Sequence, residues 1–455
     1  MKYLVFAPGI MGTGLRNDRG SVWPPSASEA IFGYKRVDDL LGDDVRPTVP
    51  IRNVGPVGVY RTLLRDIQAC GYTETSLEKR FISYPYDWRR SCVDSAERLA
   101  DILDTQITRG SGAPITLLGH SMGGLILRYL LESGRFQNRF WFSSISNLVT
   151  LGTPHYGASL ALFRLTGEDK ALGLSGSDIQ RIANDPRYPS AYQLIPQMSS
   201  AQTVDRPLPG DLPSIQDPFS PSLVHSLGMS KRNIQASRDF WRDLGIHRRP
   251  EHIDYLFIVG AALKTLVRNE WVSSRNELQP DQQKSGGDGT VPIASAVVSG
   301  VPQIYSQKKH STIFCDRDVR RFLYRFLEAP AEVRPFSAED APDVGDEDAL
   351  GLDTDQDVYD PGEDIEVVVT FNKEVSDPRE NFELLPIDWE SESGDPDPDR
   401  ESRFISVRLS GARLSTFSFS IKETLPPGLY EIRGNRGMDD PEPTQFYVRG
   451  ADYDH

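Results

Sequence analysis

The sequence predicts a mixed α/β fold: a parallel sheet covered by helices on both faces, followed by a separate all-β unit. Three observations carry this prediction. Apolar strand-like runs alternate with stretches of helical periodicity from residue 2 to residue 330. Short alternating strands separated by turn residues fill the chain from residue 343 to its end. The charge also changes sign between the two parts. From residue 336 onward there are 31 acidic and 10 basic side chains, leaving 34 acidic and 40 basic ones before it.

At 455 residues with 38% apolar content, the chain has room for one large domain and one small one. No stretch approaches the ~20 apolar residues of a membrane span. The opening MKYLVFAPG has an apolar run too short for a secretory signal and reads as a first strand, so the expected location is the cytoplasm, with peripheral membrane association through the mildly basic first part. Cys70, Cys92 and Cys315 are odd in number and lack metal spacing, which fits reduced thiols. The seven histidines are scattered, so no zinc cluster is expected. No basic stripe with interleaved aromatics appears, which argues against a nucleic-acid partner.

Taken in order, KYLVFAP is a strand that ends in the glycine-rich turn PGIMGTGL. Residues 15–55 interrupt the alternation as a lid insertion. Within it Ser26 and Glu29 have the spacing of a capping box, starting a short helix that should expose Ile31, Phe32 and Tyr34. Residues 58–70 are helical and KRFISYPYDWR is a strand. SCVDSAERLADILDTQI carries Ala96, Leu99, Leu103 and Ile107 on one helical stripe. ITLLGH is the next strand, a helix opens at Met122, and ISNLVTLGTP is another strand. Residues 157–250, rich in Pro, Ser and Gly, read as a cap insertion with short helices. YLFIVGA and PQIYSQ are the last strands of this part, and CDRDVRRFLYRFLE is its closing helix. These elements make residues 1–330 one catalytic domain. Residues 331–342 are a Pro/Ala/Glu-rich linker. In 343–455, Ile365, Val367, Val369 and Phe371 share one strand face, and four more short strands follow, which predicts an acidic Ig-like β-sandwich.

The chemistry centres on GHSMG, Gly119 to Gly123, which fits G-x-S-x-G between an apolar strand and a helix. A turn this tight brings the residues two before and two after the serine together, so both must be glycine. The strain presents Ser121 as a nucleophile. A serine needs a base, and the base needs a carboxylate to orient it. In this type of fold they follow in the order acid, then histidine. His310, in QKKHSTIF before the last helix, fits the base, and Asp288, in the glycine-rich SGGDGTVP, fits the acid. His155, in LGTPHYG, is expected to line the site or to bind structurally. The oxyanion of a tetrahedral intermediate needs two N–H donors, for which Met122 and Ile10 are the candidates. The turn at PGIMGTG has neither the Lys-Ser/Thr ending of a phosphate loop nor dinucleotide-binding spacing. Asp87, Trp88 and Arg89 read as a prop for loops.

These stretches, APGIMGTGL, PYDWRRS, GHSMGG, LGTPHYGA, GGDGTVP and KKHSTI, resemble the lecithin:cholesterol acyltransferase family in content and order. The resemblance spans residues 5–313. It implies an α/β-hydrolase fold with Ser121 as nucleophile, Asp288 as acid, His310 as base and Ile10 and Met122 as oxyanion donors. It also implies a lid after PGIMG, with Trp23 and Phe32 as its substrate-side aromatics. The signal peptide and lid disulfide of the family's secreted members have no counterpart here, and neither does the acidic β unit in the family's core.

The function expected is a serine-dependent lipid acyl hydrolase or acyltransferase, of phospholipase A or lipase type, working through an acyl-enzyme on a phospholipid or other lipid ester at a membrane surface. The alternatives are a soluble carboxylesterase and a catalytically inactive lipid-binding scaffold. No cofactor is expected for this chemistry. Calcium is an option in the last unit, where Asp353, Asp355 and Asp357 alternate in DTDQDVYDPGED, although Val358 stands where a calcium loop needs glycine. A protein partner is the other role considered for that unit.

Overall fold

The computed structural model describes residues 1–197, 200–208, 210–245, 248–331, 350–391, 393–411, 413–434 and 442–450. All but the first residue of the expected linker, 331–342, lies outside them.

Six parallel strands form the central sheet: β1 (Lys2–Ala7), β2 (Lys79–Ser83), β3 (Ile115–His120), β4 (Ile145–Leu151), β5 (Asp254–Gly260) and β6 (Gln303–Ser306). Their order across the sheet is β6-β5-β4-β3-β1-β2. Their apolar runs are continuous because helices cover both faces. In β1, Tyr3, Val5 and Ala7 enter one core and Leu4 and Phe6 the other. The first core contains helices α2 (Cys92–Gln106) and α3 (Met122–Glu132), and the second contains α1 (Arg61–Ala69) and α4 (Arg317–Phe326). Every residue of α3 is buried, so this helix is apolar on nearly all sides. The result is a mixed α/β core of the hydrolase-like kind.

The insertions are more regular than their composition suggests. The capping box at Ser26 and Glu29 forms and opens the helix Ala27–Phe32, which packs on the strand-rich part, while residues 13–17, 20–23 and 46–50 of the same insertion form a small sheet. The expected exposure of Ile31 and Tyr34 is corrected here. Ile31 is sealed against Leu385, Ile387, Leu429 and Tyr447, and Tyr34 lies buried against Trp23. Only Phe32 is exposed. A long antiparallel hairpin, Leu263–Val272 with Glu277–Gly287, also follows β5 and went unread in the sequence.

The acidic part is rich in strands. Residues Leu350–Thr354, Ile365–Val375 and Leu414–Ile421 form a three-stranded antiparallel sheet. A five-stranded sheet runs in the order 358–359, 444–448, 428–434, 379–387 and 403–408. One apolar core joins them: Val367, Val369 and Phe371 from the first meet Phe382, Ile432 and Phe446 from the second. This part also docks on the α/β core. Arg61 and Thr62 of α1 hold Glu442, and the Tyr447 hydroxyl donates to the Val54 carbonyl at 3.0 Å.

Candidate active site

The turn between β3 and α3 has the strain the sequence asks for. Ser121 sits at φ 53° and ψ −125°, a conformation rare outside glycine. A Cβ on Gly119 would lie 2.6 Å from the Gly124 Cα, and one on Gly123 would run into the carbonyls of Ala7 and Pro8. Both flanking glycines are therefore needed for the turn to close. The Ser121 N–H is anchored on the Leu151 carbonyl at 2.9 Å, and the Thr153 hydroxyl donates to the Ser121 carbonyl at 3.0 Å.

Asp288 and His310 meet next to this turn. Asp288 is 1% exposed, and its Oδ1 accepts from the Thr290 and Val291 N–H groups at 3.0 and 2.7 Å. That fixes its other oxygen on the imidazole, with His310 Nδ1 2.8 Å from Asp288 Oδ2. A carboxylate oxygen accepts here, so Nδ1–H is the donor and the ring's Nε2 points away from Asp288. The His310 N–H donates to the Asp288 carbonyl at 2.8 Å, tying the two loops together by backbone as well. Gly152, after β4, makes room for the pair: a Cβ there would lie 3.0 Å from both Asp288 Oδ2 and His310 Nδ1. Neither the Ser121 hydroxyl nor His310 Nε2 has a hydrogen-bond partner among the described residues. Such bonds commonly close only when substrate binds.

Two further residues, unread in the sequence, connect the parts. The Gly9 N–H donates to the Tyr60 hydroxyl at 2.8 Å, and that hydroxyl lies 2.7 Å from His120 Nδ1. His120 Nε2 lies 3.0 Å from the His310 carbonyl. The carbonyl can only accept, so Nε2 donates and Nδ1 takes the Tyr60 proton. The chain thus runs from the turn after β1, through the neighbour of Ser121, to the backbone of His310. Burial, with the nearby His310 adding to it, pushes the His120 imidazole down to about 3, so it stays neutral. His120 could have been picked out by its place beside the serine. Tyr60 carried no signal, since its stretch reads as an ordinary helix start.

Met122 follows the serine directly, and the turn that carries Ile10 approaches it at Gly9, where a Cβ would lie 3.0 Å from Ser121 Cβ. The N–H groups of both residues lack a protein acceptor among the described residues. Behind Ile10 and Met11 lies a mostly apolar cavity lined by Trp88, Leu165, Leu174, Ile182 and Leu194. Ser121 and His310 are not on its wall.

The lid aromatics are placed differently from expectation. Trp23 is 1% exposed, its indole N–H donates to the Met11 carbonyl at 2.8 Å, and its ring packs on Trp88. It supports the Ile10–Met11 turn from behind, where burial leaves it no substrate-facing surface. Phe32 turns towards Trp389 of the strand-rich part, 6.0 Å between ring centroids, and does not reach the cavity. His155 is structural: it stacks on Phe257 and lies between Arg128 and Thr150. Arg89 grips Asp87 with two bonds and also reaches the Leu40 carbonyl, acting as the expected prop.

Among the described residues no group of three or more His, Cys, Asp or Glu side chains is placed to hold a metal. Asp353, Asp355 and Asp357 are each engaged by protein donors. Asp355 Oδ1, for one, accepts from the Tyr359 hydroxyl at 2.5 Å and the Glu366 N–H at 3.2 Å. The three cysteines are buried and form no disulfide. Among the described residues no helix is long and apolar enough to cross a membrane.

No curated protein matches the chain. Among solved structures, the product of gene lin2722 from Listeria innocua aligns over 72% of this chain and 94% of its own, at 13% identity and a TM-score of 0.34. A β-glucosidase from Listeria innocua in complex with glucose aligns over 23% of this chain and 16% of its own, at 19% identity and a TM-score of 0.15. Likenesses this distant carry no functional weight. The family comparison is more specific, and its matched segment contains Tyr60, PYDWR, Ser121 and LGTPHYG but ends before Asp288 and His310. The resemblance read from the motifs is borne out there: residues 52–202 match the lecithin:cholesterol acyltransferase family.

Proposed function

We propose that the chain is a serine-dependent lipid acyl hydrolase or acyltransferase, with Ser121, His310 and Asp288 as its catalytic triad. One observation supports the reading: a strained serine opens α3, and the histidine proposed as its base has its Nδ1 held by a buried carboxylate. In the proposed reaction Ser121 Oγ attacks an ester carbonyl and its proton passes to His310 Nε2. Asp288 holds Nδ1–H and stabilises the imidazolium. The Ile10 and Met122 N–H groups hold the oxyanion, each worth ~3–4 kcal/mol in comparable sites. The intermediate collapses, His310 returns the proton to the leaving alcohol, and an acyl-serine remains. Water, or the hydroxyl of a second lipid, then takes the acyl group by the same steps in reverse.

The apolar cavity behind Ile10 supports a fatty acyl substrate over a small polar ester, and the family match supports acyl chemistry on lipid. Within this reading residues 1–330 are the catalytic domain, with insertions at 15–55 and 157–250, and 343–455 are an Ig-like sandwich. The sandwich assignment is supported by two sheets sharing one core. The proposed setting is the cytoplasmic face of a membrane, in keeping with three cysteines that form no disulfide. Incubation of wild type and Ser121→Ala with liposomes of mixed lipid composition tests it. Loss of one lipid class, with release of fatty acid or formation of a new ester in wild type only, is the expected result. Hydrolysis of soluble esters with every lipid left intact would favour a soluble carboxylesterase, and no turnover of either would leave a non-catalytic lipid binder.

A further inference from the structure

The catalytic reading leaves a charged residue of the base loop without a role. Lys309 directly precedes His310, and its side chain is only 7% exposed. Burial pulls an ammonium down, but the carboxylates of Asp357 and Asp353 outweigh it, so this group is held above its usual range. Lys309 Nζ lies 2.7 Å from Asp357 Oδ1 and 3.6 Å from Asp353 Oδ1, and it donates to Thr354 Oγ1 at 3.1 Å. All three partners belong to the strand-rich part of the chain.

The grip extends along the whole loop. The Lys309 N–H and the Thr312 hydroxyl both donate to Asp353 Oδ2, at 2.9 and 3.1 Å. The Ser311 hydroxyl donates to Asp357 Oδ1 at 3.0 Å. Lys308 Nζ donates to the Leu352 carbonyl at 2.9 Å, and Gln307 Oε1 accepts from the hydroxyls of Thr370 and Thr416. Residues 307, 308, 309, 311 and 312 are thus held from one side, and His310 alone turns its ring to the other, towards Asp288. The acid loop lies under the same segment, since a Cβ on Gly289 would lie 2.9 Å from the Asp355 carbonyl. Residues 353–357 therefore cover both the acid and the base.

We propose that Asp353 and Asp357 are positioning residues of the esterase site: acting from the second unit through Lys309, they fix the loop that carries His310 and so set where its imidazole stands relative to Ser121. The inference rests on the triad proposed above. Its physical basis is that a buried ammonium, held between the buried Asp353 carboxylate, the half-exposed Asp357 carboxylate and the Thr354 hydroxyl, specifies one arrangement of the groups it joins. A loop free to drift by about 1 Å would cost on the order of 100-fold in rate.

The test uses the full chain and compares wild type with an Asp353→Asn/Asp357→Asn double variant. The readouts are hydrolysis of p-nitrophenyl butyrate and the rate at which a fluorophosphonate labels Ser121. Both rates are expected to fall roughly 10- to 100-fold, with KM within about twofold of wild type. The acid limb of the kcat/KM profile should move to lower pH, because an uncompensated Lys309 ammonium beside His310 disfavours the imidazolium. Adding Lys309→Met to the double variant should return that limb to its wild-type position while kcat stays low. A contact that only docked the two units would leave kcat and the labelling rate of the folded variants at the wild-type level. Should the double variant fail to fold, Thr312→Val and Ser311→Ala each delete one bond to the pair, and each is expected to lower kcat several-fold with KM kept. Folded variants with wild-type kcat, labelling rate and acid limb would overturn the inference alone. A wild type that neither labels at Ser121 nor cleaves esters would overturn the proposed function beneath it.

Discussion

Gly123 shows how a single hydrogen atom in place of a methyl group permits the site. A Cβ there would meet two carbonyl groups of the turn after β1, the turn that carries Ile10. Gly123→Ala should destabilise the fold by about 1–3 kcal/mol, as overpacking does, and should depress activity further by displacing Ile10. Thermal unfolding and ester hydrolysis read the two effects separately. His120 yields a pH prediction. Its folded value of about 3 lies below the ordinary 6.5, so the unfolded chain binds more protons between those limits. Stability should therefore be at its plateau above pH 6.5 and fall as the pH drops below it. In His120→Gln that slope should shrink by about one proton, as unfolding midpoints taken from pH 7.5 to 5 would show. An unchanged slope would mean that His120 is not buried neutral. At this scale Ser121, Asp288 and His310 could be picked out because each sits in a short motif with its own turn chemistry. The Tyr60–His120 link could not, because its partners are 60 residues apart and neither sits in a pattern that names the other.

Among the elements, the six parallel strands were legible because burial on both faces leaves a continuous apolar run. The hairpin of Leu263–Val272 and Glu277–Gly287 was not, because its second strand reads ELQPDQQKSGG: polar, with an internal proline and no alternation. Backbone pairing to its neighbour, not side-chain burial, makes it a strand. Helix α3 depends on one polar pair. Arg128 donates to both oxygens of Glu132, at 3.0 and 2.8 Å, with the side chains 2% and 0% exposed. Glu132→Ala would strand a buried guanidinium and should cost about 3–5 kcal/mol in urea unfolding. A loss under 1 kcal/mol, on the order of a surface pair, would show that water reaches the site.

At the scale of the whole molecule, composition distinguishes two parts of opposite charge, but it does not show how closely they are joined. Ile31 was expected at the surface because no local pattern reveals that a strand-rich unit more than 350 residues later covers it. The same holds for Lys309, whose partners Asp353 and Asp357 lie in an acidic run that names no basic partner until the fold brings them over the base loop. With an apolar patch, a buried ion pair and the Arg61–Glu442 bridge at one junction, the two parts should unfold together. Calorimetry of the full chain should give one transition, and two well-separated transitions would contradict this coupling.

The claim beneath all of this is that Ser121 is a nucleophile activated by His310, and peptide mapping after fluorophosphonate treatment tests it most directly. The account predicts an adduct confined to the Ser121 peptide in wild type, absent in Ser121→Ala and slowed by at least about 1000-fold in His310→Ala. An adduct on another residue, or labelling of Ser121 at an equal rate without the imidazole, would contradict it.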